Sequence, residues 1–143
     1  MKTLRASDTV RRNYCLTQNL KTMLRKVEKG MDVIWLDPEK SARDLSRVYQ
    51  VADIKGDVIL IADKHSEAEV FENELEKPGD IDMITSVIDE CFSWMEQREL
   101  ESFKKLIIDD VLKDIYESAD ANFSGSDVRI ALARIMFNYA HAD

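Results

Sequence analysis

Glycine and proline are scarce in this chain, four and two among 143 residues. So few turn formers argue against a turn-rich all-β sandwich or barrel and favour helices. There are only two cysteines, Cys15 and Cys91, far apart and without a partnering Cys or His motif. That argues against a disulfide framework. Each is read as a small buried apolar residue, and a reducing cytoplasm fits best. Histidines are also two, His65 and His141, and neither has a Cys, His or carboxylate at the helical spacing of a zinc site. No apolar run approaches the roughly 18 residues of a membrane span. The longest is VILIA, residues 58–62. The opening MKTLRASDTVRRNY has no apolar core of the kind a secretory signal needs. Also missing are a Gly-rich phosphate loop, G-x-S-x-G, and H-x-E paired with C-x-x-C, so no familiar catalytic motif is in place.

What is there describes a folded, acidic protein. Hydrophobic residues make up 45% and charged residues 34%, enough apolar side chain for a core in one domain of this length. Its parts are a mixed region over residues 1–79 and a helical region over residues 80–143. The net charge of −8 is unevenly spread. Residues 1–29 hold eight Lys/Arg against Asp8 and Glu28, a net of +6, and the remaining 114 residues carry −14. An acidic body repels phosphate, which argues against nucleic acid as a partner except through the basic N-terminal segment.

Periodicity supplies the elements. Ser7-Asp8 is a helix start, and Leu16, Leu20, Met23, Leu24 and Val27 fall on one face, with Arg11, Lys21, Arg25 and Lys29 opposite. This predicts a basic amphipathic helix ended by Gly30. DVIWL, residues 32–36, reads as a buried strand, and Asp37-Pro38-Glu39 as a helix start with Ala42 and Leu45 inward. Lys55-Gly56 separates two β-branched runs and predicts a hairpin over 47–54 and 57–63. Continuing the preceding helix to Ala52 through Leu45, Val48 and Tyr49 would give a parallel β-α-β unit instead. Ser66-Glu67-Ala68-Glu69 has the form of a capping box, predicting a helix with Ala68, Phe71 and Leu75 inward and an end at Pro78-Gly79. From Asp80 everything reads as helical. One stripe is Ile84, Val87, Ile88, Cys91, Phe92 and Met95, widened by Met83 and Trp94. After a joint at Arg98-Glu99 comes a broad one of Leu100, Phe103, Ile107, Ile108, Val111, Leu112 and Ile115. The last helix, from about Asp127, has Val128, Leu132, Ile135, Met136 and Tyr139 on one side and Ile130, Ala133 and Phe137 on another.

Three places could carry chemistry. The segment DANFSGSD resembles the first half of an EF-hand calcium loop, with Asp120, Asn122, Ser124 and Gly125 at its first, third, fifth and sixth positions. It departs from the loop at the eighth position, Asp127, and the twelfth, Ala131, which has no oxygen to offer. Ser124-x-x-Asp127 is also a capping box ahead of an apolar run, and that reading is preferred. Asp37 and Asp63 each follow a short apolar strand. Were the strands parallel neighbours, both carboxylates would sit at the carboxyl edge of the sheet, where Mg²⁺ or Mn²⁺ could join them beside Lys64 and His65. A hairpin makes these strands antiparallel and removes the site. Asp53-x-Lys55 resembles the acid-x-Lys element of metal-dependent nucleases, and it fits a hairpin turn equally well.

The sequence therefore predicts an α+β protein: a basic N-terminal helix, a two- or three-stranded sheet within 32–63 and a C-terminal helical bundle. No cofactor, structural metal or catalytic residue is expected. The expected function is protein binding, as an inhibitor, adaptor or regulatory subunit, with self-association as a homodimer. Its expected contact residues are Ile130 and Phe137 on the two-faced last helix, and Arg11, Lys21 and Arg25 on the first. The alternatives are a Mg/Mn enzyme using Asp37 and Asp63, and nucleic-acid binding through the first helix.

Overall fold

A computed structural model of the chain describes residues 27–118 and 122–141, and the backbone of residues 2–4. It is α+β and divides into two compact units, Met1–Ile81 and Asp82–Asp143.

The first unit is built on a six-stranded sheet, not a two- or three-stranded one. Its strands are β1 (Lys2–Leu4), β2 (Asp32–Trp35), β3 (Val48–Lys55), β4 (Val58–Ala62), β5 (Ser66–Phe71) and β6 (Leu75–Glu76), in the order β1-β5-β4-β3-β2-β6. β2 to β6 are joined by antiparallel pairing, and β1 adds parallel to β5. The expected hairpin is present as β3–β4. Its two-residue loop has Gly56 at φ +60° and Asp57 at negative φ. That is the pattern of a II′ turn, which needs glycine first.

One face of this sheet is apolar and buried: Val33 and Trp35, Tyr49 and Val51, Ile59 and Ile61, Ala68 and Val70, and Leu75. Each pair is two residues apart, as strand geometry demands. Strict alternation would have put Asp53 on that face after Val51. A bulge between Val51 and Asp53 turns Asp53 to pair with Leu60 and sets Ile54 beside Ile59. One extra residue thus keeps a carboxylate out of the core.

Several sequence expectations fail here for identifiable reasons. Ser66–Phe71 is strand, not helix. Ala68 and Val70 alternate inward, and pairing with β4 satisfies the backbone that a capping box would otherwise have served. Pro78-Gly79 opens a helix instead of ending one, with Pro78 in the first turn, where its missing N–H has no cost. The helix expected after Asp37 is a single 3-10 turn, Lys40–Ala42. Ala42 is exposed, and the buried residue there is Arg43, whose Nε donates to the Asp37 carbonyl at 2.7 Å. Of the expected N-terminal helix, residues 7–26 lie outside the described residues. Residues 27–30 are not helical and turn at Lys29-Gly30, with Gly30 at φ +91°.

Among the described residues, Glu74 is the most buried charged side chain of this unit. Its Oε1 accepts from the Trp35 indole N–H and its Oε2 from the Phe71 amide, both at 3.1 Å. Its backbone carbonyl accepts from Leu36 N–H at 2.8 Å. One residue therefore joins β2 to the 3-10 turn Glu72–Glu74 across a long sequence separation.

The second unit contains three helices among the described residues: α1 (Pro78–Cys91, entering it at Asp82), α2 (Gln97–Ser118) and α3 (Gly125–Ala140). The broad stripe of α2 is buried at Leu100, Ile107, Ile108, Val111, Leu112 and Ile115. α1 stops at Cys91, so Cys91, Phe92 and Met95 do not continue its stripe, and Cys91 is exposed, not buried. Phe92 packs its ring on Phe103, with centroids 4.9 Å apart. Lys104 is buried to its head group, where Asp89 and Glu101 each sit 2.8 Å away. Burial alone would lower its pKa, but the two carboxylates outweigh that and the net shift is upward.

The capping box expected at Ser124 is present. Ser124 Oγ accepts from Asp127 N–H at 3.4 Å, and Asp127 Oδ2 accepts from Ser124 N–H at 2.8 Å. Phe123 just before the cap and Val128 in the second turn are both buried, the two positions of a hydrophobic staple. Asp120 lies outside the described residues. Asp127, the eighth residue of the calcium-like segment, is engaged in starting α3.

Candidate functional site

The last helix presents two faces, with one departure from the spacing: Tyr139, expected on the inner side, is 58% exposed. Val128, Ala131, Leu132 and Ile135 are buried. At about 100° per residue, Ile130, Ala133 and Phe137 lie on the opposite side of the helix. Ile130 is 51% exposed and Phe137 63%. Ser126, Ala133 and Ala140 share this outward face and are exposed as well, so it carries no charged side chain.

The two arginines that flank the face are turned away from it. Arg129 pairs with Glu90 of α1 at 2.7 Å. Arg134 pairs with Asp114 of α2 at 2.5 Å and also donates to Ser118 Oγ at 3.0 Å. The hydrogen bond from Arg134 to the Asp114 carboxylate raises the arginine's pKa. At the C-terminal end, Tyr139 donates its hydroxyl to Asp110 Oδ2 at 2.5 Å. That hydrogen bond, with partial burial, pushes the phenol up to about 12. The Phe137 ring lies 4.2 Å from the His141 ring. Polar contacts thus pin α3 to its neighbours along both sides and leave a neutral ridge outward.

Asp37 and Asp63 have a different environment from the one a metal site requires. β2 and β4 run parallel, because both are antiparallel to β3 between them. The two aspartates consequently follow strands that end at the same edge of the sheet: the β3–β4 hairpin does not make β2 and β4 antiparallel, because β3 lies between them. They stand two strands apart, about 10 Å by strand spacing. Arg47, just before β3, lies in the gap and is bonded to Asp63 through Nε at 2.5 Å. Asp63 Oδ1 also accepts from the His65 and Ser66 amides at 2.9 and 3.0 Å. Arg47 reaches further, to Ser66 Oγ at 2.7 Å, and its guanidinium stands 4.8 Å from the centre of the Tyr49 ring. Asp37 Oδ1 caps its own turn, accepting from Glu39 N–H at 3.0 Å. Among the described residues no group of three or more His, Cys, Asp or Glu is placed to hold a metal ion.

The Arg47 pair makes a pH prediction. The guanidinium, then the His65 and Ser66 amides, hold the Asp63 carboxyl well below the usual carboxylate range. A depressed folded-state pKa contributes stability that is complete above the unfolded value, near 4, and is lost as pH falls toward the folded value. Asp63→Asn is therefore expected to melt below the wild type by a constant margin between about pH 5 and 8, and the margin is expected to narrow below about pH 4. A margin that widens on acidification would refute this role.

Other sequence candidates resolve more simply. Arg11, Lys21 and Arg25 lie outside the described residues. Asp53 and Lys55 face each other at 3.9 Å beside the hairpin turn. His65 and His141 are both exposed. Trp94, which helical spacing sets at the edge of the α1 stripe, lies beyond the end of that helix and is 78% exposed, with its ring centroid 6.2 Å from that of Phe92. The early stop of α1 is what exposes it, and no periodicity signals that stop. Leu106, also exposed, directly precedes the buried Ile107 and Ile108 on α2.

Among the described residues, no helix is long and apolar enough to cross a membrane. Comparison with protein-family models, with curated proteins and with solved structures returns no match.

Proposed function

We propose that this protein acts in the cytoplasm through protein–protein contact, as an inhibitor, adaptor or regulatory subunit that self-associates, and that the outward face of α3 is its contact surface. The observation that carries this reading is the neutral ridge of Ile130, Ala133 and Phe137. An amphipathic helix in a bundle ordinarily turns charge to solvent. Here the core side is already filled by other residues, the flanking arginines are held by Glu90 and Asp114, and an isoleucine and a phenylalanine remain exposed. Exposed aromatic and aliphatic side chains with a polar rim are the usual make-up of an interface centre.

The test is site-specific photo-crosslinking in the native cell. Benzoylphenylalanine in place of Phe137 is expected to give a discrete adduct, identified by mass spectrometry. The same probe in place of Ser102, exposed on α2, is expected to give none. Equal labelling at both positions, or none at either, would remove the surface from consideration.

A second reading keeps one supporting observation, the shared sheet edge of Asp37 and Asp63. As a Mg²⁺ or Mn²⁺ site it requires Asp63 to exchange Arg47 for the metal. It is tested by whether millimolar metal raises the melting temperature of the wild type but not of Asp63→Asn.

A further inference from the structure

We infer that the occupant of the α3 face is a second copy of this chain, with the two α3 helices antiparallel about a two-fold axis that passes beside Ala133. This rests on the reading of that face as a contact surface. It goes further by naming the partner and the register.

The outward face of α3 is self-complementary. Ile130 stands three residues before Ala133 and Phe137 four residues after it. An antiparallel pair centred between Ala133 and Arg134 sets each Ile130 opposite the other copy's Phe137. The contact occurs twice, as an isologous interface requires. The small Ala133 at the crossing lets the helices approach closely, and the larger side chains fill the space on either side.

Charge complementarity points the same way. Residues 82–143 hold six Lys/Arg against thirteen Asp/Glu, and residues 78–118, spanning α1 and α2, hold four against eleven. Copies that met through α1 or α2 would oppose carboxylate with carboxylate. The outward face of α3 has no charge to repel, and its flanking arginines are neutralised within each copy. A basic partner, in contrast, would be steered to α1 and α2 and would have nothing to read on this face.

Area then limits the strength. One sixteen-residue helix face against another buries on the order of 1,000 Å² or less in total, at the small end for specific interfaces. The dimer is thus reversible and concentration-dependent. Because each copy carries −8, salt strengthens it by screening the repulsion between the two bodies.

The experiment is sedimentation equilibrium of the purified full chain from low to high micromolar concentration, at low and high salt, for wild type and Phe137→Asp. The wild-type mass is expected to rise from 16.5 kDa toward twice that value, with association several-fold tighter at about 0.5 M salt than at low ionic strength. Phe137→Asp is expected to weaken association about thirtyfold or more, as for a central interface residue. Its circular dichroism should be unchanged, since the side chain is mostly exposed. Register is read separately. Ala133→Cys, with Cys15 and Cys91 changed to Ser, is expected to form a disulfide-linked dimer on mild oxidation, and Ser102→Cys in the same background is not. A wild type that stays monomeric overturns the inference. If the photo-probe at position 137 then labels a different protein, the contact surface itself still stands. A dimer insensitive to Phe137→Asp, or one weakened by salt, would place the contact elsewhere and overturn the assigned face.

Discussion

Truncating Glu74 to alanine is expected to destabilise the protein by about 2–4 kcal/mol, in a residue type whose loss from a surface costs little. The carboxylate is fully buried and accepts from the buried Trp35 indole N–H and the half-buried Phe71 amide. Alanine leaves both donors facing an apolar space, at on the order of 1–3 kcal/mol each. Part of that cost is offset because the truncation also relieves the burial of the carboxylate. Glu74→Gln separates the contributions. Its carbonyl oxygen can serve Trp35 but its NH₂ then opposes the Phe71 N–H, so it is expected to fall between alanine and wild type. Urea unfolding followed by far-ultraviolet circular dichroism and by tryptophan emission, with Trp94 changed to Phe so that Trp35 is read alone, measures both. An alanine variant within 0.5 kcal/mol of wild type, a shift ordinary for exposed positions, would show that the carboxylate is not what joins β2 to the turn.

Two leucines on one helix supply the second large effect. Leu112→Ala is expected to cost about 2–5 kcal/mol and Leu106→Ala less than about 0.5. Both residues sit on α2 and are chemically identical. Leu112 is fully buried among Ile108, Val111 and Ile115, whereas Leu106 is 55% exposed. The alanine at 112 loses its transfer free energy and leaves a cavity that close-packed neighbours fill only in part. At 106 water already touches the side chain. Denaturant midpoints for the two variants decide it. A large loss at 106 would mean that this leucine is covered by something the single chain does not show, which light scattering on the same samples would reveal.

Local rules were enough wherever an element needs nothing from far away. The start of α3 is an example. Ser124 and Asp127 are three residues apart and satisfy each other's backbone, so sequence alone located the cap. The same holds for the β3–β4 turn, where Gly56 supplies a positive φ that few other residues tolerate. The broad arc of α2 and the second, apolar side of α3 also followed from periodicity.

Other features depended on partners remote in sequence. Ser66-Glu67-Ala68-Glu69 satisfies the local pattern for a helix start, yet β4 offers the same backbone a full ladder of pairs, and pairing prevails. The bulge at Ala52 resets which residues of β3 face inward, which no period-two reading contains. Asp63 showed itself as a strand end, but its bond to Arg47, sixteen residues earlier, exists only because β3 and β4 are adjacent. Glu74 reads as one acidic residue in an acidic stretch, and only the fold brings Trp35 to it across thirty-nine positions.

The sequence by itself determined the α+β class, the hairpin, the capped last helix and the two-sidedness of that helix, because these are set by interactions within a few residues. Periodicity also set Ile130 and Phe137 apart as the contact side of that helix. The tertiary structure decided that this side is left open and is not covered within the bundle. Filling by Val128, Ala131, Leu132 and Ile135, and the ties of Arg129 and Arg134 to α1 and α2, fix the rotation and leave Ile130 and Phe137 in water.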